Sequence, residues 1–163
     1  MTALGDVWIA VNPPLRSGQH LRTVVGRRKD GSAWVGRVQN KGYEEAMRGL
    51  VSVLFSARPY PWHPLAEPVE VSLDLFLPHL KGTPKRCATL VLPLTTTPDW
   101  DNLAKLYGDA LTRSGWLEDD KWIAVGRLAK FRSPVVGIRL RVARREPEPW
   151  SAQMMGGEPF AAT

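Results

Sequence analysis

The feature that most constrains the fold is an abrupt change of hydrophobic period across a block of prolines. Between Tyr43 and Phe55 the apolar residues Tyr43, Ala46, Met47, Leu50, Val51, Leu54 and Phe55 return every three to four positions. That spacing marks one face of an amphipathic helix and predicts a helix over about 41–57. Arg58-Pro59-Tyr60-Pro61-Trp62-His63-Pro64 follows at once. Proline lacks the N–H that a helix needs and its ring collides with the preceding turn, so the helix must stop there. Beyond the stop, Val69-Glu70-Val71-Ser72-Leu73-Asp74-Leu75-Phe76 alternates apolar and polar residues, the period of a half-buried strand. A chain carrying both periods has to lay a helical stripe against a sheet face.

The remaining elements fit that frame. Val7–Val11 is a β-prone run stopped by Asn12-Pro13-Pro14, and Arg22–Val25 and Ala33–Val35 flank an Asp30-Gly31 step that signals a hairpin. From Pro78 to Pro98 the pattern dissolves into Pro, Gly, Lys, Arg and Thr, apart from Leu90-Val91-Leu92, and reads as a mobile or partly ordered loop. A second helix is expected over about 99–114, with Leu103, Leu106, Tyr107, Ala110 and Leu111 buried and Gly115 ending it. Strands are expected near 122–130 and 135–142. The sum is an α+β domain of two layers, a small mixed or antiparallel sheet packed by about two main helices. It occupies residues 1–143, and a Pro-, Gly- and Ala-rich tail over 144–163 reads as disordered.

Composition narrows the partners. The 163 residues are 44% hydrophobic, enough to give one domain a real core. Lys and Arg number 22 against 16 Asp and Glu, a formal charge of +6 that raises encounter rates with phosphate backbones. No apolar run approaches the ~18 residues that span a bilayer, and Met1–Asp6 does not read as a signal peptide. With Cys87 the only cysteine, no intrachain disulfide is possible and a reducing cytoplasm is the expected location. His20, His63 and His79 lack zinc spacing, and Cys87 has no neighbouring histidine and acid to make it a nucleophile.

The chemistry concentrates in Asp99-Trp100-Asp101-Asn102-Leu103-Ala104-Lys105 and in Glu118-Asp119-Asp120. Asp99 falls at the N-cap of the second helix and Asp101 in its first turn, where the helix dipole and the unpaired N–H groups favour carboxylates whatever the function. Asp101 and Lys105 are four apart, on the face away from Leu103, Leu106 and Tyr107, an arrangement that an ordinary surface ion pair would also explain. The helix end at Gly115 and the returning strand bring the later acids back toward the first two. Mg²⁺ takes oxygen ligands and keeps several waters, so two or three carboxylates and a substrate phosphate suit it.

Asp99-x-Asp101-Asn102-Leu103-x-Lys105, then Asp109-Ala110-Leu111, then Gly115-Trp116-Leu117-x-Asp119-Asp120, with the later basic Lys130, resembles the signature of RusA-type Holliday junction resolvases. The likeness is specific over about 98–130; before it, only the order of elements agrees. The resemblance implies a small homodimeric endodeoxyribonuclease that cuts four-way DNA junctions by paired symmetric nicks with Mg²⁺ or Mn²⁺. Carried over by position, it makes Asp99, Asp101 and Asp120 the metal-binding catalytic acids, with Asp119 an alternative to Asp120. Lys105 would steady the scissile phosphate. Asn102 and Asp109 would support the helix start. Trp100 departs from the usual smaller residue and is expected to pack against the sheet.

The basic residues Lys81, Lys85 and Arg86, in the loop before the acidic helix, are candidate DNA contacts, as is Lys130. Arg127, Lys130 and Arg132 are expected along one DNA-facing side of the strand after Asp120, and Arg139 and Arg141 toward solvent. On the residues alone two other readings stay open. One is a non-catalytic DNA-binding module whose acids only cap a helix and fill a turn. The other is a metal-dependent nuclease for another branched DNA.

Overall fold

The computed structural model describes residues 2–14, 21–39, 41–96 and 98–147. Its elements run β1 (Thr2–Ile9), β2 (Leu21–Arg27), β3 (Ala33–Gln39), α1 (Lys41–Ser56), β4 (Val69–Pro78), β5 (Leu92–Pro93), α2 (Trp100–Arg113), β6 (Ile123–Ser133) and β7 (Gly137–Arg144). Single 3-10 turns lie at Lys85–Cys87 and Asp120–Trp122. β2 and β3 form a hairpin of their own, closed through Arg28, Gly31 and Ser32. The other strands form one mixed sheet in the order β1-β7-β4-β6-β5. The fold is α+β, with two helices on a small mixed sheet.

β4 is the spine of that sheet. Val69, Val71, Leu73, Leu75 and Leu77 are buried, and the strand is paired along its length with β6 in parallel and with β7 antiparallel. The five apolar positions face the helices. Tyr43, Met47, Leu50 and Leu54 of α1 and Leu103, Leu106, Tyr107, Ala110 and Leu111 of α2 close the core over them. Each such side chain withdrawn from water stabilises the fold by roughly 1.5–3 kcal/mol. A parallel pair cannot be joined by a tight turn. The long connection from β4 to β6 therefore carries α2 across the sheet, and the start of α2 lies beside the C-terminal half of β6.

The loop expected between Pro78 and Pro98 holds more structure than its composition implies. Leu92 and Pro93 pair with Arg132 and Phe131 as a short edge strand, and the 3-10 turn at Lys85–Cys87 precedes them. Two residues of pairing leave almost no period to read in a sequence. At the other end, β7 runs to Arg144, and the Arg145 N–H donates to the Pro68 carbonyl. Most of the expected tail, residues 148–163, lies outside the described residues. No helix among the described residues is long and apolar enough to cross a membrane.

Candidate active site

Asp99 caps α2 with extended backbone (φ −66°, ψ 158°), but its carboxylate accepts no hydrogen bond from the helix N–H groups. Asp101 and Lys105, both exposed, lie one turn apart on the outer side of the helix. Neither the capping bond nor the ion pair that would account for these residues structurally is formed. Asp99, Asp101 and Lys105 make no side-chain hydrogen bond or ion pair within the described residues. Two carboxylates and an ammonium are thus held at the surface at the positive end of a helix dipole, where anions are favoured.

β6 fixes the backbone that carries them. The Lys130 Nζ donates to the carbonyls of Thr96 and Pro98, 2.8 Å each, directly before Asp99. The Trp100 indole N–H donates to the Leu128 carbonyl at 3.1 Å, and the Leu94 N–H to the Lys130 carbonyl at 2.9 Å. Trp100 packs against the sheet as expected, lining a small apolar cleft with Val71, Leu73, Ala104, Gly108 and Leu128. Lys130 registers with buried Leu75 and so sits on the helix side of the sheet. Its ammonium holds the loop with two of its three donors, contacts beyond the DNA contact expected of Lys130 from the sequence.

Asp120 reaches the site by a different route. Gly115, at φ +73°, turns the chain back after α2, and Arg58 donates to its carbonyl at 3.2 Å. Trp116 is wholly buried, donates its indole N–H to the Leu54 carbonyl at 2.8 Å, and packs on Trp62 with ring centroids 4.7 Å apart. Leu65 and Glu118 then bond the segment to the stretch before β4. Asp119 accepts from the Lys121 N–H at 2.9 Å, and that bond, above all, holds its carboxyl below the usual range. Asp119 thus caps the 3-10 turn, and Asp120 follows as its first residue.

That turn docks against α2 at Gly108, where a Cβ would lie 3.9 Å from the Asp120 Cβ. Asp101, Lys105 and Gly108 follow one stripe of the helix, so Asp120 stands about two turns, or ~10 Å, along from Asp101. Among the described residues no three His, Cys, Asp or Glu side chains are gathered closely enough to hold a metal ion. The acids therefore divide, Asp99 and Asp101 at the helix start and Asp120 beside its middle, with Lys105 between. Hard carboxylate oxygens with no bonds among the described residues suit Mg²⁺, which is commonly held by one or two carboxylates together with substrate phosphate. Asp99 and Asp101 meet that requirement.

Asp109 lies in a cleft of about 250 Å³ with Thr112, Arg113, Asp119 and Asp120. It accepts a 3.0 Å hydrogen bond from the Tyr43 hydroxyl and so ties α2 to α1. Burial, reinforced by this carboxylate, pushes the Tyr43 phenol up to about 12. Lys81, Lys85 and Arg86 are exposed in the loop after β4, the last two in its 3-10 turn. Arg127, Lys130 and Arg132 do not share a side. Arg127 registers with Ser72 and turns to the helix-free face, while Lys130 and Arg132 register with Leu75 and Leu77. The strand's period of two forbids the single row that the sequence suggested.

Sequence reasoning passed over Glu70. It is buried, with its oxygens 3.0 Å from Arg127 and 3.4 Å from Arg145. The available signal was an acid at a polar position of an alternating strand whose expected neighbours are rich in arginine. The family model described as Endodeoxyribonuclease RusA matches residues 21–143. Comparison with curated proteins finds no match.

Proposed function

Since the chain belongs to the RusA endodeoxyribonuclease family, we propose that it resolves four-way DNA (Holliday) junctions by paired nicks, as a Mg²⁺-dependent homodimer. The observation that carries this reading is that Asp99, Asp101 and Lys105, on a helix start that β6 clamps in place, make no side-chain bond among the described residues. A protein that used these residues only for stability would engage them in the cap and the ion pair that are open to them.

In the proposed chemistry Asp99 and Asp101 hold the cation, and Asp120 is the third acid of the catalytic set. A bound divalent cation supplies the Lewis acidity that water attack on a phosphodiester needs. Lys105, on the stripe between Asp101 and Asp120, sets its ammonium against the phosphate oxygens as negative charge grows on them. The α2 dipole draws the phosphate to the same end. Symmetric incision requires two such sites about a two-fold axis, which a C2 dimer supplies.

The test is cleavage of a synthetic four-way junction with Mg²⁺, with EDTA, and by Asp101→Asn. Native protein is expected to nick two opposing strands only with the metal, and Asp101→Asn to bind the junction without cutting it. Cutting by Asp101→Asn at the native rate would refute the assignment. Equal cutting of flap or three-way DNA would move the substrate to another branched form.

A further inference from the structure

Both helices cover one face of the sheet, and the opposite face carries a strip of three aromatic rings. Trp8 of β1 lies 5.4 Å from Phe76 of β4, which stacks at 5.3 Å on Phe131 of β6. Trp8 and Phe76 are separated by β7, and the indole crosses that strand over Gly137. A Cβ there would fall 2.4 Å from the ring, so the strip exists because this position is glycine. Trp8 is 45% exposed, where a solvent-facing strand position ordinarily carries a polar residue.

Along the same face Ser72 lies between Arg141 of β7 and Arg127 of β6 in register. With Glu70 and Arg145 these residues line a polar cleft of about 320 Å³. Glu70 engages one edge of Arg127 and reaches Arg145 with its other oxygen, while Asp74 holds Arg141 at 3.0 Å and Asp6 holds Arg139 at 2.9 Å. A guanidinium has five donors, so a carboxylate on one edge orients the group and leaves other donors for a phosphate. Arg127, Arg139, Arg141 and Arg145 thus gather on one face, oriented by Glu70, Asp74 and Asp6. The cleft and the strip are four residues apart on β4, about 13 Å.

We propose that this helix-free face is a second nucleic-acid surface that takes a single-stranded segment of DNA. Its bases stack along Trp8, Phe76 and Phe131, and its phosphates lie in the cleft along Arg127 and Arg141. Aromatic platforms beside a basic track are how single strands are held without sequence preference. A second copy of the chain fits less well, because the core of an interface between copies is depleted in charge and this face is crossed by ion pairs. DNA as the polymer rests on the nuclease reading; the surface itself does not.

The experiment is fluorescence anisotropy of labelled dT12 with the full chain in EDTA, where no metal-dependent cutting intervenes. Trp8→Ala is expected to weaken binding at least about fivefold, and Trp8→Phe to restore most of it. Arg141→Gln is expected to lower the slope of log affinity against log salt by about 0.7. Thermal melts accompany each variant. If Trp8→Ala no longer folds, Arg141→Gln, whose side chain lies outside the core, decides alone. Native affinity in both variants overturns the proposal. So does a native protein that ignores dT12, or one whose mass halves on Trp8→Ala, which would place a second copy on this face. Because dT12 is read without metal, these failures are separate from a failure to cut junctions.

Discussion

Lys130→Met separates a clamp from a DNA contact. The ammonium makes two charge-assisted hydrogen bonds of 2.8 Å, each of a kind worth about 1.5–3 kcal/mol. The two do not add in full. The Thr96 carbonyl lies in exposed chain, where water replaces the lost donor, whereas the Pro98 bond is partly buried. Methionine keeps most of the aliphatic stem, so the net loss is about 2 kcal/mol. In a domain of this size that corresponds to a melting temperature lower by about 4–8 °C. The larger effect falls on activity. Asp99 and Asp101 follow directly on the clamped segment, and a displacement of about 1 Å at a reacting group costs on the order of a hundredfold in rate. Single-turnover cleavage of a saturating four-way junction, paired with calorimetry, is the assay. The expected result is a rate constant down 10- to 100-fold, unchanged junction affinity, and partial recovery in Lys130→Arg. Unchanged melting and rate, with weaker junction binding and a salt slope reduced by about 0.9, would refute the clamp and restore Lys130 as a phosphate contact.

Two further outcomes follow from the elements that support the site. The Tyr43 phenol is held up to about 12 by burial and by Asp109, whereas in the unfolded chain it titrates near 10. Its stabilising contribution is therefore complete below about pH 10 and is lost as the pH rises toward 12; melts between pH 8 and 11.5 should fall steeply above 10, and Tyr43→Phe should flatten that fall. Gly115→Ala places a Cβ on a backbone at φ +73° and 2.7 Å from the Arg58 guanidinium. Left-handed geometry alone costs a non-glycine residue about 1–2 kcal/mol, so calorimetry should show a melting temperature several degrees lower and, because Asp120 follows this turn, junction cleavage should slow with it.

The elements that bury a stripe were legible before any coordinates. α1 spans Lys41–Ser56 and α2 Trp100–Arg113, within a residue of their expected limits, because an apolar face repeated over four turns leaves a strong period. Gly115 as the helix stop was legible for the same local reason. Pairing was not. That β4 lies at the centre with β6 parallel to it depends on which strands meet across more than forty intervening residues, and no local pattern encodes that. β5, with two residues, is visible only through its partner. Asp99 and Asp101 share the start of α2 because they are two residues apart at a helix cap that the sequence marks. The distance of Asp120 along α2 depends instead on where Trp116 finds its pocket, and a spacing of nineteen residues does not fix it.

β6 shows how one strand divides the work. Its residues alternate between Lys130, which reaches over the helix side to hold the start of α2, and Arg127, which is drawn by Glu70 to the open face. A count of basic residues merges these into one patch, and the positive charge of the chain encourages that merger. The period of two separates them, because neighbouring side chains on a strand cannot serve the same surface. Removing Lys130 should therefore disturb catalysis through the position of two aspartates. Removing Arg127 should leave the α2 loop bonds untouched and act on whatever the open face holds. A basic residue on a strand acquires its function from the register that decides which side of the sheet it meets, and here that register is set by β4.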